Sequence, residues 1–328
     1  MLAADGNLCF TESDANQIGS VSPGGEFVEY PLPPSSCGPG SLAVVPGGDI
    51  WYTRGCYGGL AGNFPAPVTV VGVLSRSGSA TELVVSALPT DIALGPDGNL
   101  WIAAGTIGRV TPAGAVAYFS PPATGGTIDF YPMGITAGPD GNLWFTEIGS
   151  PRVGKISVSG VITEYDLPSA DLRPEFICAG ADGNLWFTAT NKDRTQDSIG
   201  RVTTSGQVTL FPVCTPSIGY SRITSGPDGN LWFTEPGTGD GGTVWNRLVR
   251  MDPDGAITEF VSPTVDSRPN GIAAGPDGNV WFTEIAGSAI GRVDLDSLEG
   301  GGNIHAESCR RVLLSQSRPG PPNVIPLR

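Results

Sequence analysis

One phrase returns seven times along this chain: a tight turn spelled Asp-Gly-Asn or a close variant, then an apolar residue, an aromatic, and in most copies Phe-Thr-Glu. The fullest copies occupy 138–147, 226–235 and 275–284. Shorter forms centre on Trp51, Trp101 and Trp186, and the first copy, at 5–12, carries Cys9 where the others carry Trp. Anchored at Cys9, Trp51, Trp101, Trp144, Trp186, Trp232 and Trp281, the copies lie 42 to 50 residues apart. A unit of that length is one supersecondary element that cannot bury its own faces, so it has to stack on copies of itself.

Within a unit the pattern is strand-like throughout. Ile257-Thr258-Glu259-Phe260-Val261 alternates and is β-branched, which suits an edge strand. Ser267-Arg268-Pro269-Asn270-Gly271 then reads as a loop, and the small Ile272-Ala273-Ala274 as an innermost strand. The turn Gly275-Pro276-Asp277-Gly278-Asn279 leads to Val280-Trp281-Phe282-Thr283-Glu284, and Ala289-Ile290-Gly291-Arg292-Val293 makes the third strand. The 48 Gly and 30 Pro of the 328 residues recur between such runs, so they are the turns of an all-β protein. Four antiparallel strands repeated seven times predict one seven-bladed β-propeller over 1–328, with the second-strand aromatics as core between blades.

The ends of the chain bear on closure. The first unit starts at its second strand, and Pro322-Asn323-Val324-Ile325 matches Pro269-Asn270-Gly271-Ile272. The tail is therefore expected to pair into the first blade and remove free sheet edges. The Gly-rich 296–308 reads as a loop before a last outer strand at 309–314.

A net charge of −14 argues against nucleic acid, whose phosphates require clustered Lys and Arg. No apolar run is long enough to span a membrane. Met1-Leu2-Ala3-Ala4-Asp5 runs straight into the first unit without a signal peptide, while six cysteines tip the expectation toward an extracytoplasmic or secreted setting. None of the six has C-x-x-C spacing, and Cys37 and Cys56 flank one hairpin as candidates for a disulfide. A monomer is expected.

The combination of Pro-x-Gly-Ile-Thr/Ala, Gly-Pro-Asp-Gly-Asn-Leu-Trp-Phe-Thr-Glu, Ile-Gly-Arg-Val and Ile-Thr-Glu-Tyr-x-Leu-Pro resembles the streptogramin lyase (virginiamycin B lyase) family over essentially the whole chain. The resemblance implies a propeller that opens the ester of a cyclic depsipeptide by elimination, with histidines, a glutamate and Mg²⁺ near the axis. In that family the histidines follow the loop proline. Here those positions hold Gly40, Thr90, Met133, Glu175, Ser221, Asn270 and Asn323, and the single histidine, His305, stands outside that context. Elimination needs a base near neutral pH and an acid for the leaving group, which Asn and Ser do not supply.

Candidate chemistry then falls on one mouth of the propeller, where the inner strands begin and the second strands end. Second-strand ends carry Glu12, Arg54, Ala104, Glu147, Ala189, Glu235 and Glu284. Glu12, Glu235 and Glu284 are read as an acidic arc for a hard cation, Mg²⁺ or Ca²⁺, and as the weak catalytic candidates. Ligand contacts are assigned to Asn270, Glu175, Arg222, Arg54, Trp245 and Tyr57, the last two in long loops. The favoured function is a scaffold binding a small molecule, peptide or glycan at that mouth. The alternative is a metal-dependent lyase of streptogramin B type, or a lactone hydrolase, working through the mouth carboxylates.

Overall fold

The computed structural model describes residues 1–56, 68–121, 130–193, 196–213, 222–235, 246–262, 264, 266–298, 310–312 and 324–326, the last two segments and positions 56 and 68 as backbone. It is all-β, with seven successive sheets built as the blades of a seven-bladed β-propeller. Among the described residues the single helical piece is the short turn Asp296–Leu298. Contacts divide the chain into two compact units, Met1–Leu167 with sheets 1 to 4 and Pro168–Arg328 with sheets 5 to 7.

Sheet 4 shows why the repeat phrase has to read as it does. Its strands are Pro132–Ala137, Leu143–Glu147, Arg152–Ile156 and Ile162–Asp166, paired in sequence order. The turn before the second strand closes with the Gly138 N–H donating to Asn142 O at 2.8 Å, and Gly141 there adopts φ 75°, a left-handed conformation that favours glycine. The Asp140 carboxylate accepts from the Asn142 backbone N–H, from Asn142 Nδ2 at 2.8 Å, and from the indole Nε1 of Trp144 at 3.0 Å. The buried Trp144 ring stacks on Tyr165 at 5.7 Å, and the Lys155 ammonium sits 5.3 Å from its centroid, a cation–π contact.

The same knot ties four more sheets. Trp101, Trp186, Trp232 and Trp281 donate to Asp97, Asp182, Asp228 and Asp277 at 3.1, 3.0, 3.1 and 2.9 Å. Arg109, Arg201, Arg250 and Arg292 lie 5.7, 5.4, 6.0 and 5.6 Å from those rings. Burial alone acts to raise the carboxyls of Asp97, Asp140, Asp182 and Asp277. The hydrogen bonds from Asn and Trp outweigh it and hold all four below the usual range.

Thr of Phe-Thr-Glu has its own task. In sheet 4 the inner strand slips register between Pro132 and Ile135, so the Gly134 N–H donates to Thr146 Oγ1 at 3.0 Å. Ser41, Phe176 and Gly271 donate likewise to Thr53, Thr188 and Thr283 at the same irregularity. Each hydroxyl satisfies an N–H that a β-bulge removes from the ladder.

The expected core is present in both units. Trp101, Ile107 and Phe130 pack with Ile135, Leu143 and Phe145 across sheets 3 and 4. Trp232, Leu248 and Phe260 pack with Val280, Phe282 and Val293 across sheets 6 and 7.

The expected closure by the tail is corrected. Val324–Pro326 pairs antiparallel with Ala289–Val293 as the fourth strand of sheet 7, and leaves sheet 1 with Leu8–Glu12, Gln17–Val21 and Phe27–Pro31. Beside Leu8 the inner position already holds backbone: Leu2 bridges Leu8, and the Cys9 N–H donates to Met1 O at 2.8 Å. Sheet 7, by contrast, has a vacant outer edge that the tail covers. Arg310–Val312, expected as the last outer strand, lies parallel to Ile257–Val261 and widens sheet 6 instead. Cys37 is disulfide-bonded, and Cys9 and Cys178 are free.

The glycine of Ile-Gly-Arg/Lys-Val is a packing requirement: a Cβ on Gly154 would stand 2.3 Å from Cζ of the buried Phe145. Gly154→Ala is expected to destabilise the protein by about 1–3 kcal/mol, the usual cost of overpacking. Urea unfolding would read this as a lower midpoint with an unchanged slope.

Candidate functional site

Proline opens the inner strands at Pro39, Pro132 and Pro269, stands at Pro89 just before another and at Pro174 inside another, and the residue after each proline is a candidate contact position. In the first unit these residues are Gly40, Thr90 and Met133. A Cβ on Gly40 would meet Thr53 Oγ1 at 2.9 Å. The Thr90 hydroxyl lies 2.8 Å from Met133 O and 3.0 Å from Ala103 O, so it ties two inner strands together. None of the three side chains titrates near neutrality.

The second unit differs. Its inner strands Leu172–Ala179, Ile223–Ser225 and Pro269–Ala274 are neighbours, and they bring Glu175, Arg222 and Asn270 to the same end of three consecutive sheets. Glu175 is buried, and the Arg222 guanidinium stacks 4.0 Å from the centroid of Phe176, the next residue along. The Asn270 backbone carbonyl accepts from Thr234 Oγ1 at 2.7 Å, which pins its strand to sheet 6. Beneath this end lies a cavity of about 10 Å³, room for one water, lined by Glu175, Glu235, Asp197, Thr188, Thr190 and Ser198. These are a carboxylate, a guanidinium and an amide on adjacent strands. They suit a polar ligand that both donates and accepts hydrogen bonds, and they hold no imidazole.

Several second-strand ends turn inward on their own surroundings. Arg54, assigned to ligand contact, is fully buried: it donates to Pro33 O at 3.0 Å and Asn16 Oδ1 at 2.9 Å, and it pairs with Glu82 at 2.9 Å. It clamps the first hairpin to sheet 2, a consequence of burying a charge that needs partners. The carboxylates of the proposed metal arc are likewise engaged locally. Glu12 takes the Gln17 amide at 2.8 Å, Glu284 takes the Ser262 hydroxyl at 2.8 Å, and Glu235 faces Arg247 at 3.8 Å. Arg247 in turn pairs with Glu259 at 2.9 Å. Among the described residues no three His, Cys, Asp or Glu side chains group to hold a metal ion. One carboxylate oxygen of Glu12 and one of Glu284 have no hydrogen-bond partner among the described residues. Trp245, Tyr57, Ser221, Asn323 and His305 lie outside the described residues.

Glu147, at the corresponding place in sheet 4, is fully buried. Burial first, and then the neighbouring Glu164, push its carboxyl up to about 8, against the Ser150 hydroxyl that donates to it at 2.7 Å. Glu12 is raised for the same leading reason.

Sheets of this build, with Glu175, Arg222 and Asn270 at the inner-strand starts of the second unit, define a seven-bladed β-propeller. Comparison with known proteins narrows the class. The virginiamycin B lyase family model matches residues 66–296. A virginiamycin B lyase from Nocardia farcinica is 29% identical over 179 residues, which is 53% of this chain and 56% of that protein. The match thus spans little more than half the length of that relative. Among solved structures, selenomethionine-substituted virginiamycin B lyase from Staphylococcus aureus superposes with a TM-score of 0.72 at 30% identity, covering 87% of this chain and 90% of that one. A streptogramin B lyase structure gives 0.71 at 32% identity, covering 86% and 88%. The chain belongs to the virginiamycin B lyase family.

A buried carboxyl raised in the folded state favours folding at low pH and loses that advantage as pH climbs. For Glu147 the window runs from the ordinary carboxyl value of 4.5 up to about 8. Parent and Glu147→Gln should match in stability near the bottom of this window, and the variant should be the more stable by its top, as read from urea midpoints across pH.

Proposed function

We propose that this chain is a binding member of its family, a rigid propeller that holds a polar small molecule, peptide or glycan at the inner-strand starts of its second unit and does not perform the elimination. One observation carries the reading: the positions associated with the inner-strand prolines hold Gly40, Thr90, Met133, Glu175 and Asn270, and none of them is histidine. A related structure bears on how much that matters. The Staphylococcus aureus virginiamycin B lyase solved with quinupristin is a histidine-to-alanine variant described as catalytically inactive, with a TM-score of 0.65 to this chain at 30% identity over 88% of this chain and 85% of that one. If one histidine is indispensable there, a chain with none at those strand starts has no group to remove the proton in the same way. Glu175, Arg222 and Asn270 supply the contacts, Arg222 held flat by Phe176 and Glu175 by its buried seat. Pre-set side chains on short strands limit the ordering that binding requires.

The test is turnover. Ring opening by elimination leaves the mass unchanged, so quinupristin incubated with the protein and Mg²⁺ is followed by chromatographic retention and by the NMR signals of the newly formed alkene. The expected result is intact lactone. A linear product whose formation disappears in Glu235→Gln or His305→Ala would return the chain to the lyases. In parallel, Glu175→Gln and Arg222→Ala are expected to weaken any ligand found in a binding screen by about tenfold each, the usual effect of removing a charged hydrogen-bond partner.

A further inference from the structure

In five sheets the second-strand Trp fills a slot whose walls recur: the turn Asp that accepts its N–H and the cation of the third strand. In four of them an outer-strand aromatic also lies against its face at 5.3 to 5.7 Å. Sheet 1 keeps part of this slot and lacks the occupant. Cys9 stands where the indole would be and Ser20 where the cation would be, while Asp5 and Tyr30 remain in register. Asp5 still organises its turn, accepting from the Asn7 N–H and from Asn7 Nδ2, each at 3.0 Å. Tyr30 still lies against the next sheet's turn, 3.7 Å from where a Cβ of Gly78 would be. Phe119 and Phe211 approach Gly160 and Gly255 in the same manner.

The space has not collapsed. A cavity of about 160 Å³ remains, lined among others by Ala3, Asp5, Cys9, Ser20, Tyr30 and Arg76. An engineered cavity of about 150 Å³ is enough to bind benzene. Cys9 and Ser20 are buried at its floor, and Arg76 is held at its side by Asp49 and Gly47.

We propose that this slot binds a planar aromatic ligand of about indole size carrying a ring N–H. The ligand takes the place a Trp side chain holds in the sister sheets, with its face on Tyr30 and its N–H on the Asp5 carboxylate. The shape and the acceptor are inherited from the repeat; what sheet 1 has lost is the covalent tether. The slot sits at the Asp-Gly-Asn end of the strands, the opposite end from the inner-strand starts, so it stands or falls apart from the function proposed above.

Indole itself is the probe, added to the whole chain and followed by calorimetry and ligand-observed NMR. Saturable one-to-one binding is expected with a Kd of about 0.1–1 mM, a normal efficiency for so small a molecule. Cys9→Trp restores the tethered occupant, so it is expected to abolish indole binding and to raise the melting temperature. Benzofuran, the same shape with oxygen in place of N–H, is expected to bind the unaltered protein at least tenfold more weakly, and this control does not depend on any variant folding. Absence of saturable indole binding, undiminished binding in Cys9→Trp, or equal affinity for benzofuran would each overturn the proposal.

Discussion

In five of the sheets the hydrogen bond from a buried indole to the carboxylate of its own turn is the contact on which the rest of the sheet is arranged. It joins a residue that would otherwise leave an N–H unsatisfied to one that would otherwise be a solvated turn residue. Once Trp144 is fixed by Asp140, its two faces become fixed platforms. One receives Tyr165 and the ammonium of Lys155 closes the stack. The following Phe145 can then be large because its cross-strand partner, Gly154, has no side chain. The order of residues in the phrase is thus an order of contacts.

Much of this was legible beforehand because it is periodic. A residue type that returns at a fixed offset in several units signals a contact made in every unit, and the aromatics were read as core on that ground. What eluded the reading was contact between units or outside the period. Arg54 looks like a mouth residue by its place at a strand end, yet its partners Asn16 and Pro33 come from the preceding unit, and no local pattern announces them. The bulge that draws each Thr hydroxyl inward is a register slip of the neighbouring strand, visible in sequence only as the proline that precedes it. The tail was matched by local similarity to an inner strand, but its backbone serves two outer edges, and edge coverage is decided by which ladder is vacant rather than by motif.

The division between scaffold and chemistry follows from the same distinction. Residues that shape the fold are repeated, so the loss of one copy is tolerable, as Cys9 demonstrates in sheet 1. The strand-start residues Glu175, Arg222 and Asn270, proposed above as ligand contacts, occur once each.

The knot also has a kinetic meaning. Asp140, Trp144, Lys155 and Tyr165 all fall within one repeat, so its loops close over short stretches of chain, and closing short loops costs little entropy. Low contact order of this kind favours rapid nucleation inside single repeats, before any repeat has met its neighbour. The strands at 310–312 and 324–326 instead wait for partners already formed far upstream. A ribosome releasing this chain therefore exposes the outer ladders of sheets 6 and 7 until those two segments emerge, and those two ladders are the expected sites of chaperone capture during translation.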